Sequence, residues 1–413
     1  MKKAVFVMFT LLALTTVVFA RGGRQDSSGG PVTINFHTAS DMQREVEPLV
    51  AAFNARNSGF QVRVNYTPND DYDDKIKVLV SGSTEIDAFW IRNPAPVQQY
   101  ISNNALKDLT AYMGESGLDL TPIRDSTLKG ATKDGRYYGL PTTGSCWMIY
   151  YNKDLFDARG IPYPVDLTWD QYLDLAQQLT YIEGGKKYWG GVCPPWVLNL
   201  GAVAGAEYLT AAEPMPLTRQ YSQVLHRMYV DDHSHPDIGE MSVGTFDINS
   251  FFAAGNVYMM INGDWTFSLL DAPFQYGAAP LPVFSGLPRG SSAGSVGFFA
   301  VSARSAHPQE AYKFIEWALT SGEGTTVFAN AKGIPAYPTI DAQNTYQRLV
   351  SVPGVEYRFS SVINQEQTTE SYYNSLADVF RQEVELYLLG EQTLDRTFSN
   401  FYALRKEIID NSR

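Results

Sequence analysis

The side chains best suited to chemistry in this sequence are aromatic and acidic residues set beside turns. Trp265 follows Asn262-Gly263-Asp264, Trp196 follows Pro194-Pro195, and Trp90 lies in the short apolar run Asp87 to Ile91. An indole next to a turn or a double proline is poorly placed for a core and well placed for a pocket. A sugar ring presents an apolar C–H face and a rim of hydroxyls. A flat aromatic can cover the face while carboxylates, amides and hydroxyls serve the rim. Ser40, Asp41, His37 and Asn93, near the ends of the first strands, are candidates for that rim, with Asp70 and Asp264.

Catalytic readings are weaker. Gly144-Ser145-Cys146-Trp147 is similar to the papain nucleophile element Cys-Gly-Ser-Cys-Trp, but position 143 is Thr. No His falls ~130–150 residues downstream to generate a thiolate. A buried thiol in a linker is the better account of Cys146. The acids in Asn69 to Asp74 fit no calcium-loop register that supplies both the central Gly and the terminal Glu. Asp231, Asp232, His233, His235 and Asp237 have metal-ligand types but nonspecific spacing, which suits a solvated loop. No Gly-rich phosphate loop leads into Lys-Ser/Thr. Neither a metal nor a cofactor is expected. A glycoside hydrolase is the alternative function, because it also holds sugars between aromatics and needs two flanking carboxylates. Asp41 and Asp264 are the best available pair, yet they fall in separate globular bodies.

Composition bounds the rest. The 413 residues exceed the ~250–300 at which a single core stops growing, so two domains are expected. A formal net charge of −12 argues against nucleic acid and anionic membrane as partners. Lys2 and Lys3 precede an apolar run from Ala4 to Phe19, which reads as a signal peptide over residues 1–20. Residues 21–30 form a polar leader. No Cys follows the apolar run, so an exported protein without a lipid anchor is expected. Cys146 and Cys193 permit one disulfide, but they lie beside different loops, and two free thiols are expected.

Around the candidates, periodicity sets the elements. Val32 to Phe36, Phe60 to Tyr66 and Asp87 to Ile91 read as strands. Between them lie a helix with Val46, Leu49, Val50 and Phe53 on one face and an acid-opened helix from Asp70 to Val80. This alternation predicts a parallel, doubly wound sheet with its ligand beyond the C-terminal strand ends. Ser40 or Asp41 is expected to cap the first helix. Asp134-Gly135 predicts a hairpin turn, and Trp147 to Tyr151 a strand buried on both faces. Thr168 and Gln171 predict a capping box opening a helix whose face is Tyr172, Leu175, Ala176 and Leu179.

The run DGRYYGLP, then YYNKDLF, then TWDQYLDLAQQLT resembles the signature region of family 1 extracellular solute-binding proteins. These are the maltose-binding-protein-like receptors of ABC sugar importers. Phe252 to Trp265 and Gly333 to Pro338 resemble later motifs of the same family. The resemblance implies an α/β, type II periplasmic-binding-protein fold, with two doubly wound lobes joined by three hinge crossings and the ligand cleft between them. On this reading residues 31–143 and 297–334 form the N-terminal lobe, and 144–296 and 335–413 the C-terminal lobe. It implies that Trp265 stacks on the sugar and that Tyr372 and Tyr373 lie near where the family presents another cleft aromatic. It further implies a periplasmic monomer that captures a mono- or oligosaccharide and delivers it to membrane permease subunits.

Overall fold

The computed structural model describes residues 31–82, 85–123, 125–241 and 246–412. The signal-peptide and leader expectations lie outside the described residues. In chain order the strands are β1 (Val32–Ala39), β2 (Phe60–Thr67), β3 (Ala88–Ile91), β4 (Thr132–Lys133), β5 (Arg136–Tyr137), β6 (Leu140–Gly144) and β7 (Trp147–Asn152). They continue as β8 (Tyr181–Glu183), β9 (Lys186–Val192), β10 (Val257–Gly263), β11 (Tyr276–Pro280), β12 (Ser291–Gly294), β13 (Val296–Val301) and β14 (Val362–Gln365).

The early alternation of strand and helix builds the first sheet, in the order β2-β1-β3-β13-β6. β1 runs parallel to both β2 and β3, because the helices Gln43–Arg56 and Tyr72–Gly82 provide the crossovers. β13 returns from the far side of the second sheet and pairs antiparallel to β3 and β6. Phe36 meets Phe299 and Phe314 edge to face, which locks β1, β13 and the helix Pro308–Thr320 into one core. The second sheet, β11-β7-β10-β9-β8, is mixed: β10 is antiparallel to β7 and parallel to β9. All six residues of β7 are buried, as its apolar run from Trp147 to Tyr151 requires of a strand covered on both faces.

Local signals act as their chemistry dictates. Asp134 and Gly135 both take positive φ, 51° and 73°, the geometry of a two-residue hairpin turn between β4 and β5. Thr168 Oγ1 accepts from the Gln171 N–H while Gln171 Oε1 accepts from the Thr168 N–H, completing the capping box. The first helix departs from expectation. A 3-10 turn, Ser40–Met42, precedes it, and neither Ser40 nor Asp41 makes a capping bond from its side chain. Cys146 and Cys193 are free and buried.

Three chain passages join the sheets, and hydrogen bonds stitch them together. The Ser145 N–H donates to the Ser295 carbonyl at 2.8 Å, and the Ser295 N–H donates to Ser145 Oγ at 2.7 Å. Thr143 bridges to Pro335, and the Ala336 N–H donates to the Thr142 carbonyl at 2.9 Å. The parallel pair β12 and β14 ends at this waist, with Gly294 opposite Gln365.

Candidate ligand site

On the first sheet, the C-terminal end of β3 carries Trp90 and leads into Arg92. The Arg92 guanidinium lies 5.1 Å from the Trp90 ring centroid and 5.4 Å from that of Tyr72. Its Nη2 donates to the carbonyl and Oδ1 of Asn69, its Nη1 stands 3.6 Å from Asp41, and its Nε 3.3 Å from Asp73. Tyr72 Oη donates to the Trp90 carbonyl at 2.6 Å. This places Asp41 and Trp90 around one cation, with Asp70 exposed on the adjoining 3-10 turn. Burial raises the Asp41 carboxyl above its ordinary range, against the pull of Arg92. Ser40 is exposed beside it. Trp90 Nε1 and Thr142 Oγ1 are both buried without a protein hydrogen-bond partner. Both lie over Gly297, at 2.4 Å and 3.0 Å from where its Cβ would stand. Asn93 Oδ1 accepts from Ser295 Oγ at 2.7 Å and so ties the strand end to the waist.

On the second sheet, β10 ends at Gly263, and the Trp265 indole folds back over that glycine. A Cβ there would stand 2.0 Å from the ring, so only Gly leaves room for it. Trp265 is half-buried, and its ring meets Trp147 edge to face at 5.3 Å. Trp147 Nε1 donates to a Glu366 carboxyl oxygen. Burial, reinforced by the Asp264 charge, pushes the Glu366 carboxyl up to about 7. Four buried polar atoms on the segment that begins at Gln365 have no protein partner: Gln365 Oε1, Gln367 Oε1, Thr368 Oγ1 and Glu370 Oε2. The Glu366 N–H donates to the Gly294 carbonyl, and Asn364 Nδ2 to the Ala204 carbonyl, which fixes this segment to the waist and to the helix Leu200–Ala204. Asn199, just before that helix, also has an unpartnered buried Nδ2. Trp196, three residues earlier, is 54% exposed.

The model for bacterial extracellular solute-binding proteins matches residues 39–325. The chain belongs to that family. Maltodextrin-binding protein MdxE of Bacillus subtilis is 24% identical over 259 residues, covering 56% of this chain and 59% of that protein. A binding protein of Brucella abortus is 26% identical over 257 residues, covering 57% and 59% respectively. The chain thus matches 59% of the length of each of these curated relatives. Among solved structures, the substrate-binding protein Lmo0181 of Listeria monocytogenes, in complex with cycloalternan, superposes with TM-score 0.80 at 22% identity, covering 92% of this chain and 99% of that one. A sugar transporter of Rhizobium etli in an open conformation gives TM-score 0.77 at 21% identity, covering 91% and 99%. These likenesses show the type II periplasmic-binding-protein fold.

Three of the expected residues of this solute-binding protein sit elsewhere than their sequence positions suggested. His37 is not at a strand end, because β1 runs on to Ala39. Its imidazole is buried near the backbone of Glu85 and the charges of Lys75, Asp87 and Arg63, and burial lowers its pKa. Asp264 is committed to Arg358 in an ion pair whose side chains are each 6% exposed. Tyr373 is 2% exposed in the second core, with its hydroxyl donating to the Glu366 carbonyl. Its neighbour Tyr372 is half-buried.

Sequence reasoning missed Glu366, Gln367, Thr368, Glu370 and Asn199. The unbroken polar run Asn364 to Ser371, between Ile363 and Tyr372, was the available signal for all but Asn199. Chemically, the arrangement offers aromatic faces and hydrogen-bonding groups without an activated nucleophile. Burial raises the Cys146 thiol, which holds it protonated, and Asp264 is already paired.

Proposed function

We propose that this solute-binding protein captures a neutral carbohydrate between its two lobes and delivers it to the membrane permease of an ABC importer. The observation that carries the reading is that indoles left accessible, the half-buried Trp265 and the exposed Trp196, occur together with buried polar atoms that have no protein partner, on Trp90, Gln367, Thr368 and Asn199. A sugar presents both complements at once, and leaving such polar atoms unmet costs ~1–3 kcal/mol each. The names of relatives that bind maltodextrin and galactooligosaccharides support the same ligand class. In this reading residues 31–143 with 297–334, and 144–296 with 335–413, move as rigid lobes about the three stitched passages. The protein acts as an exported monomer, without nucleic acid, cofactor or catalytic step. A glycoside hydrolase is disfavoured because Asp264, one of its two required carboxylates, is locked to Arg358.

Isothermal titration against mono- and oligosaccharides tests the ligand class. A saturable sugar should also raise the melting temperature, because it binds only the native state. If no carbohydrate binds, the reading fails. Small-angle scattering at saturating sugar should show a smaller radius of gyration, since a swing from mostly open to mostly closed needs roughly 5 kcal/mol of differential affinity. An unchanged curve would rule out closure.

Trp196→Ala is expected to weaken sugar binding by about 1–3 kcal/mol while leaving the apo melting temperature unchanged, because this side chain is 54% exposed. Trp265→Ala should lower both, since Trp265 also packs on Trp147. Equal losses of apo stability in the two variants would show that Trp196 is structural.

A further inference from the structure

A cavity of about 340 Å³ opens at the waist, and all three passages line it: Gly144 and Ser145, Ser295, and Ile334 to Thr339. Its volume falls at the low end of the ~300–1,000 Å³ typical of small-molecule pockets. None of Trp90, Trp196, Trp265 and Asp41 lines it, whereas Ile363 and Gln365 of β14 do. Successive side chains of an extended chain point to opposite faces. Gln365 therefore faces the cavity, while Glu366 turns to Trp147 on the other side.

Two side chains in the cavity wall have donors to offer a ligand. Tyr346 is 1% exposed, and its hydroxyl has no protein partner. Burial pushes that phenol well above its ordinary range, so it keeps its proton and can donate. Arg358 is 5% exposed, and among the described residues its guanidinium bonds through Nε, to Asp264. Its Nη2 lies 4.0 Å from where a Cβ on Gly144 would stand, so the guanidinium reaches the first passage. A guanidinium edge beside a phenol O–H matches the paired acceptors of an oxyanion.

We propose that this waist cavity is a second ligand site, taking a small molecule that bears a carboxylate or phosphate group, held by Arg358 and Tyr346. Pro122 and Thr127 line it from the side of the first sheet, and Tyr346 and Arg358 from the side of the second. An occupant therefore spans the hinge and sets the spacing of the two bodies. By linkage, it must shift sugar affinity by the same factor that sugar shifts its own.

Titration calorimetry with inorganic phosphate and, separately, with succinate tests the site. Saturable binding of one or both is expected, and the arm that binds identifies the source of the oxyanion. Tyr346→Phe removes only the unpartnered hydroxyl and should weaken that binding roughly tenfold or more, the loss expected for a hydrogen bond to a charged group. Gln347→Glu, at an exposed position on the cavity rim, should weaken it by charge repulsion without touching the core. Sugar affinity measured without the anion should stay at the wild-type value in both variants. No binding of either anion by the wild type, or undiminished binding by both variants, would overturn the proposal.

Discussion

Replacing Arg358 with Met is expected to destabilise the protein by about 3–5 kcal/mol, the usual cost of stranding one member of a buried ion pair. Arg358 and Asp264 are both buried, and Asp264 is also held by its own N–H, which donates to the Cys146 carbonyl at 2.9 Å. Burial already raises the Asp264 carboxyl in the intact pair, with Arg358 pulling it back down. Without the guanidinium, burial is opposed only by weaker backbone hydrogen bonds, so the variant should regain part of its stability at acidic pH by protonating Asp264. Urea unfolding at neutral and acidic pH measures both effects. The double variant Asp264→Leu/Arg358→Met should be far less destabilised than Arg358→Met alone, because no charge is left buried without its partner. Equal losses in the two variants would show that packing by Arg358, rather than its charge, supports the waist.

Glu366→Gln should stabilise the protein above neutral pH by on the order of 3 kcal/mol. The Glu366 carboxyl titrates at about 7 in the folded protein, against 4.5 for the ordinary group. The native state therefore binds its proton more tightly than the unfolded chain does. Stability from this group is fully present below pH 4.5, falls as pH rises between 4.5 and about 7, and is lost above that. Gln cannot ionise, yet its carbonyl still accepts from Trp147 Nε1, so the variant keeps the contact and loses the pH slope. Chemical denaturation of both proteins between pH 5 and pH 8.5 provides the test. Parallel stability curves would mean that Glu366 does not carry the proton.

The ligand site is less legible than the fold for a reason visible in particular residues. Trp265 and Trp196 stood out because Gly263 and Pro194-Pro195 mark unusual local backbone, which a sequence displays directly. Asp264 stands one residue from Trp265 and shares the same turn, yet it serves Arg358, 94 residues further along the chain. His37 looked terminal only because strand ends are read to within a few residues, and β1 runs on past it to Ala39. Tyr372 and Tyr373 are adjacent, but the second opens a helix and points its ring into the core.

The sequence by itself determined what depends on neighbours a few residues apart. The turn at Asp134-Gly135, the capping box of Thr168 and Gln171, the apolar strand at Trp147 and the strand–helix alternation that makes β1 parallel to β2 and β3 all follow from local sterics, hydrogen bonding and periodicity. Tertiary structure alone decided the pairing of Trp147 with Glu366 across 219 residues, the stitching of Ser145 to Ser295, and the cavity behind that seam. Such contacts arise where chain segments far apart in sequence are buried together. There, desolvation, rather than residue type, determines which polar groups are paired, which hold a proton and which are left for a ligand.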